Sequence, residues 1–313
     1  MPVNTKWRHK IPSHKQFSHT VPLKSVIADT QYGTIGLRLP HTVFLQMNNQ
    51  ITLITGCQRS GTTLLQLILD SHPEVHGIDE MQFNPQRTVE YINSPGFAPC
   101  VSFKLPVASH ALGFIESLPD RKILWCVRDP RDVVASMIRL QLRYSADTKL
   151  AWAAHPNGAI REIRQAVEVL QGQLPGELAD LMPGYQENLK RNPLDWSQND
   201  MALAGALCWR LKQAMPALYG ARDFATRIVN YEALTRHPEQ ELQQIINFLD
   251  LAWDDQLLEH HTVHSGMSVG GTVNDRPVDT ASIGRWPDLL TAEDQDIIHT
   301  VCGQTARDYG YEF

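Results

Sequence analysis

The stretch ITLITGCQRSGTTLLQLILDSHPEV, residues 51 to 75, constrains this chain more than any other. Ile51, Leu53 and Ile54, interleaved with threonines, suit a buried strand of a parallel sheet, and Leu64, Leu65, Ile68 and Leu69 recur at helical spacing. Between them lies GCQRSGTT, bounded by Gly56 and Gly61. Without a Cβ at those two positions the backbone can turn tightly and present successive N–H groups to a phosphate, at the positive end of the following helix. Strand, anion-binding loop and helix in that order predict an α/β fold with a central, mostly parallel sheet flanked by helices.

With 313 residues, 42% of them apolar, and a formal net charge of -6, the chain suits one main globular domain. Cys57, Cys100, Cys126, Cys208 and Cys302 are odd in number, widely spaced and without a C-x-x-C pair. That pattern suggests neither a disulfide framework nor a zinc site, and a reducing, cytoplasmic setting fits it best. No apolar run approaches the roughly 20 residues a bilayer span requires, and the N-terminus carries no apolar signal core. Residues 1–49 form a basic extension, in which Lys6, Arg8, Lys10, Lys15, Lys24 and Arg38 face one acidic residue, Asp29. Those charges are dilute and the remainder, 50–313, is acidic, so docking onto the main domain is expected rather than nucleic-acid binding.

Downstream, Pro73 and Gly77 stop the helix and leave Asp79 and Glu80 on the connection that follows, within one helix length of the cradle. Two solvated loop acids is one reading of them; a general base beside a transferred group is the other. Lys104 interrupts the apolar run CVSFKLPV, as a snorkelling edge residue or as a cation aimed into a site. Ile123 to Val127 predict a second buried strand, and Pro130 opens a helix. Arg128 ends that strand, so in an open α/β sheet it projects at the carboxyl edge where ligands bind, with Ser136 about two turns later on the same side. Residues 140–220 read as helix broken by loops, expected to cover the sheet and to form the acceptor side. Trp152, Trp196 and Trp209 within it are read as core packing. RIVNYEAL, residues 227–234, predicts a third strand and turn, and 261–286 a long, glycine-rich, polar loop of the kind that is functional or disordered.

The general phosphate-loop pattern is G-x-x-x-x-G-K-[ST]; here Thr62 stands at the lysine position and Arg59 supplies the cation. Transfer of a γ-phosphoryl group normally requires Mg²⁺ held by a strand-end aspartate, for which Asp129 is the one candidate. A sulfuryl group carries one charge fewer, so cationic side chains and backbone N–H donors can stabilise its transfer without a metal. The missing lysine favours sulfuryl transfer. A phosphate-loop kinase or NTPase and a non-catalytic nucleotide-binding module stand as the rival readings.

Taken in order, RSGTTLLQLILDSHPEV, FKLP, VRDPRDVVASM, VNYEAL with HPEQELQQIINFLDLAWDDQLLEHH, and RPVDTASIGRW resemble a known family. It is that of the sulfotransferases that use 3′-phosphoadenosine-5′-phosphosulfate (PAPS), and within it the tyrosylprotein sulfotransferase-like branch. The resemblance covers roughly residues 50–313 and implies a phosphate-loop-type three-layer fold. It also implies that Arg59, Ser60, Gly61, Thr62 and Thr63 bind the 5′-phosphosulfate, that Arg128 and Ser136 hold the 3′-phosphate, and that Tyr231 lies against the nucleotide. Arg285 and Trp286 would belong to a segment that closes over it. Glu80 falls where the family places its catalytic base, with Arg59 and Lys104 stabilising the transferring group and no metal needed. The implied partner is an acceptor bearing a hydroxyl: a small molecule, a sugar, a lipid or a peptide. Gly284 departs from the branch, which carries a serine there.

Overall fold

The structure, a computed structural model, describes residues 49–80, 82–83, 98–118, 120–143, 156–170, 174, 176–188, 190–191, 195–268 and 271–313. The first 48 residues of the basic extension, and Trp152, lie outside them. Five strands, β1 (Gln50–Gly56), β2 (Val75–Asp79), β3 (Cys100–Lys104), β4 (Arg121–Val127) and β5 (Thr226–Asn230), form one sheet in the order β2-β3-β1-β4-β5, every pair parallel. The described helices are α1 (Thr62–Asp70), α2 (Leu112–Ser117), α3 (Pro130–Arg143), α4 (Pro156–Val169), α5 (Gly176–Asn188), α6 (Gln198–Lys212), α7 (Met215–Gly220), α8 (Tyr231–Arg236), α9 (Pro238–Phe248), α10 (His260–Val263) and α11 (Ala292–Asp308).

The central strand β1 is buried from Ile51 to Gly56, as expected of a strand covered on both faces. One face carries Ile54, Leu124, Cys126 and Val229, against which α1 sets Leu65, Ile68 and Leu69 and α9 sets Leu242, Ile245 and Ile246. Side chains alternate along a strand, so Leu53, Ile123 and Trp125 point to the opposite face. There the Trp125 ring meets Tyr219 of α7 edge-on at 5.6 Å and donates its N–H to Gln213, just past α6. Helix α6 is started by a reciprocal cap in which Ser197 and Asp200 each bond the other's backbone N–H, and it packs against α3, α4 and α11. The helical reading of the region up to residue 220 thus holds for the described parts of α4 to α7.

One element departs from expectation. Residues 75–79 are a strand, not a connection. VHGID has neither an apolar run nor clean alternation to announce itself; its register with β3, from Val75 opposite Cys100 to Asp79 opposite Lys104, is supplied by the neighbouring strand. The strand makes β3 an interior strand, and Lys104 is accordingly buried, with 3% exposure. Parallel pairing brings the carboxyl ends of all five strands to one edge, so Gly56, Asp79, Lys104, Val127 and Asn230 line up there. In an open α/β sheet this is the edge at which ligands bind.

Candidate active site

The loop between β1 and α1 is shaped by close backbone approaches. A Cβ on Gly56 would lie 2.3 Å from the carbonyl oxygen of Cys126 on β4, and one on Gly61 would lie 2.4 Å from the Tyr231 ring. Both glycines have positive φ, 131° and 91°, and Gly61 is the N-cap of α1. Arg59 also sits in the left-handed region, with φ 70°, a conformation that a non-glycine residue holds only when its surroundings fix it. Two contacts do so: Arg128 Nη1 donates to the Arg59 carbonyl at 3.2 Å, and Arg59 Nε donates to Ser136 Oγ at 3.0 Å.

A second corner, where β4 runs into α3, supplies those partners. The Arg128 guanidinium lies over the Tyr231 ring at 4.4 Å, so that ring touches both Arg128 and the Gly61 backbone. Arg128 Nη2 also donates to the Ser282 carbonyl, and Trp209 of α6 donates its indole N–H to the Arg128 carbonyl at 3.0 Å. One turn on, Asp132 accepts three backbone N–H bonds: from Gly284 at 2.7 Å, Arg285 at 2.8 Å and Trp286 at 3.0 Å. It also pairs with Arg128 at 3.8 Å. Arg139 donates to the Arg285 carbonyl at 2.5 Å, and Arg131 stacks under Trp286 at 4.9 Å. The segment 282–286 is therefore fastened along one face of α3. Gly284 bonds through its backbone, and Ser282 meets Arg128 through its carbonyl.

The third part of the site is charged. Lys104 Nζ pairs with Asp79 at 2.7 Å and Glu80 at 3.3 Å, and donates to Thr63 Oγ1 at 3.4 Å. Of the two readings of this lysine, the snorkelling one is removed by its burial between two strands. Burial raises the Glu80 pKa above the ordinary carboxylate range; Lys104 draws it down and Asp79 pushes it up again. A carboxylate so placed, one cation away from the helix that opens the anion cradle, can accept a proton from a group attacking whatever the cradle holds.

The structure thus brings together Arg59, Ser60, Gly61, Thr62, Thr63, Arg128, Ser136 and Tyr231 around two adjacent strand ends, and Glu80 with Lys104 on the next two. Arg285 and Trp286 join through α3. Sequence reasoning missed Asp132, whose three backbone partners lie far along the chain. It also missed a buried trio beside the loop: Glu162 of α4 pairs with Lys212 of α6 at 2.6 Å, and both bond the side chain of Gln58.

Comparison with known proteins places the chain in a family. A family model described as the sulfotransferase domain matches residues 50–310. A provisionally named protein-tyrosine sulfotransferase of Caenorhabditis briggsae is 26% identical over 221 residues, covering 68% of this chain and 69% of its own length. Protein-tyrosine sulfotransferase A of Caenorhabditis elegans is 25% identical over 219 residues, covering 66% of this chain and 51% of its own length, so the chain spans about half of that relative. Among solved structures, the sulfotransferase domain from the curacin biosynthetic pathway superposes with a TM-score of 0.50 at 14% identity, covering 85% of this chain and 99% of that one, a likeness of fold. With the family model running across nearly the whole described chain, from the start of β1 to the end of α11, the protein belongs to the sulfotransferase family and is an enzyme that transfers a sulfuryl group.

Proposed function

We propose that the enzyme draws its sulfuryl group from PAPS and passes it to an acceptor hydroxyl, with Glu80 as the general base. The observation that carries this reading is the meeting at Lys104, whose ammonium touches the base on one side and Thr63 of the cradle on the other. The donor's anionic groups also find waiting partners. Ser60 Oγ and Arg128 Nε are buried and have no hydrogen-bond partner among the described residues, which is the chemistry a phosphate or sulfate oxygen satisfies. When bound, PAPS supplies an activated sulfuryl group and a stable bisphosphate leaving group.

Each residue then has a task. Backbone N–H groups at the start of α1, with Ser60, Thr62 and Thr63, hold the 5′ end, and Arg128 with Ser136 holds the 3′-phosphate. Glu80 takes the proton from the acceptor oxygen as that oxygen bonds to sulfur. Arg59 and Lys104 face the charge that builds on the transferring group, which is where preorganised cations lower the barrier. The Caenorhabditis relatives are described as protein-tyrosine sulfotransferases, which favours the phenolic hydroxyl of a peptide tyrosine as acceptor.

The test is incubation of the enzyme with PAPS, a chelator and a tyrosine-containing peptide, followed by mass spectrometry for one added sulfate. Glu80→Gln is expected to lower kcat by about 10²- to 10⁴-fold. A folded Glu80→Gln enzyme with full activity would remove the base assignment. The pH dependence carries a sign. Because the Glu80 pKa is raised in the fold, activity should climb as pH rises through it, while the stability of the folded state falls over the same window, from the unfolded pKa upward. Glu80→Gln should therefore flatten both profiles, melting at a more constant temperature than the parent as pH rises.

A further inference from the structure

Next to the anion cradle, within electrostatic reach of Glu80, lies a charged trio that sulfuryl transfer as described above does not use. Lys212, at the last position of α6, is 1% exposed, and Glu162 of α4 is 2% exposed. Their ion pair at 2.6 Å is closed over by Gln58, the residue before Arg59. Gln58 Nε2 donates to both carboxylate oxygens of Glu162 at 2.8 Å, and Lys212 Nζ donates to Gln58 Oε1 at 2.5 Å. Lys212 also donates to the Pro106 carbonyl at 2.9 Å, two residues past Lys104. A single buried ammonium thus holds the chain beside each of the two cations assigned to the transferring group.

Burial of this kind is costly, and a buried ion pair does not by itself add stability over a well-packed apolar set of the same volume. What this one does add is direction. Gln58 is 6% exposed, its amide oxygen and nitrogen are both engaged, and its χ angles are therefore fixed. The next residue, Arg59, has φ 70° and would relax toward ordinary backbone without a restraint on each side. Arg128 and Ser136 restrain it on one side, and Gln58 is the restraint on the other. Burial pushes the Glu162 carboxyl up to about 7, even with Lys212 and Gln58 both pulling it down.

We propose that Glu162 and Lys212 are positioning residues for sulfuryl transfer: through Gln58 and Pro106 they aim Arg59 and Lys104 at the transferring group, without touching donor or acceptor. The proposal rests on the assignment of Arg59 to the transferring sulfuryl group. It separates two properties that a general support for the fold would move together. Backbone N–H groups with Ser60, Thr62 and Thr63 hold the 5′-phosphate and Arg128 with Ser136 the 3′-phosphate, so affinity for 3′,5′-bisphosphoadenosine, which has no sulfuryl group, should not depend strongly on where the Arg59 side chain points. The turnover number should.

The cleanest variant is Gln58→Met, which keeps length and volume, leaves the Glu162–Lys212 pair intact and cuts the tether. The expected result is a kcat about 10- to 100-fold lower with the tyrosine peptide at saturating PAPS, since small misplacements of a transition-state group have effects of that size. The Kd for bisphosphoadenosine, measured by calorimetry, should stay within about threefold of the parent. Gln58→Met/Glu162→Leu/Lys212→Met replaces the whole trio by apolar side chains and should give the same split in a folded protein, as judged by circular dichroism and melting. Unchanged kcat in either folded variant overturns the proposal, and so does a loss of nucleotide affinity that parallels the loss of kcat. Arg59→Ala separates this failure from that of the site assignment. If Arg59→Ala is inactive while Gln58→Met is fully active, only the positioning role falls; if Arg59→Ala keeps full kcat, the assignment of Arg59 falls first and the positioning role with it.

Discussion

The two strand-to-helix corners that face each other across the site are built in opposite ways. The corner from β1 to α1 is made by backbone: two glycines with positive φ, a strained Arg59 and the N-terminus of α1. The corner from β4 to α3 is made by side chains, with Arg128 just before α3 and Asp132 and Arg139 along it gripping a segment about 150 residues further on. A backbone site depends on a few consecutive residues and tolerates no Cβ where one does not fit. A side-chain site spreads its hold over several charged hydrogen bonds, so that single losses weaken it by steps. The first should fail all at once and the second gradually.

Gly61→Ala tests the abrupt end and should have the largest effect. The added Cβ meets the Tyr231 ring at 2.4 Å, and that ring is also in contact with the Arg128 guanidinium, which limits its freedom to shift. Adding the penalty for positive φ, the cost is about 2–4 kcal/mol. Because the strain falls on the cradle itself, bisphosphoadenosine affinity should drop by more than about 100-fold, read by calorimetry. Binding within a few fold of the parent would mean that the loop adapts, and that the contrast between the corners is wrong.

The same contrast explains what could be read from the sequence. Residues 56 to 63 are contiguous and glycine-marked, so the cradle and its helix were legible, as were Arg128 at a strand end and the helix opened by Pro130. Asp132 was not, because its three partners lie 152 to 154 positions away and offer only backbone N–H groups, which every residue has. Gln58 and Lys212 are separated by 154 positions, and nothing in either neighbourhood announces the other. Strand β2 escaped for a related reason: VHGID is a strand by virtue of lying beside β3, and spacing alone left Lys104 between an edge and the site until that pairing was known. Local backbone geometry leaves a trace in consecutive residues; long-range side-chain pairing does not.

Asp132→Asn tests the gradual end. One carboxylate oxygen becomes an amide nitrogen that faces backbone donors, and the charge that opposes Arg128 is lost. A charge-assisted hydrogen bond is worth about 1.5–3 kcal/mol, and the remaining oxygen keeps part of the hold. The expected outcome is about a tenfold weaker bisphosphoadenosine Kd with a nearly unchanged melting temperature, together with faster amide exchange at residues 284–286. A variant that fails to fold would show that the clasp supports the whole domain and not only the closing segment.

Ser136→Ala carries the smallest expected effect and the sharpest question, because Ser136 is an α3 side chain that bonds the cradle residue Arg59 directly. Removing its hydroxyl leaves Arg59 Nε able to turn to solvent or to a bound oxygen, so the loss should be about 1 kcal/mol, or roughly fivefold in kcat/KM. Its value lies in combination with Asp132→Asn. If the corners are independent, the two losses add to within about 0.5 kcal/mol. A coupling well above that would mean that the grip on the closing segment is transmitted through α3 to Arg59. The backbone corner and the side-chain corner would then be a single unit, in which closing the segment over the nucleotide also sets the cation beside the sulfuryl group.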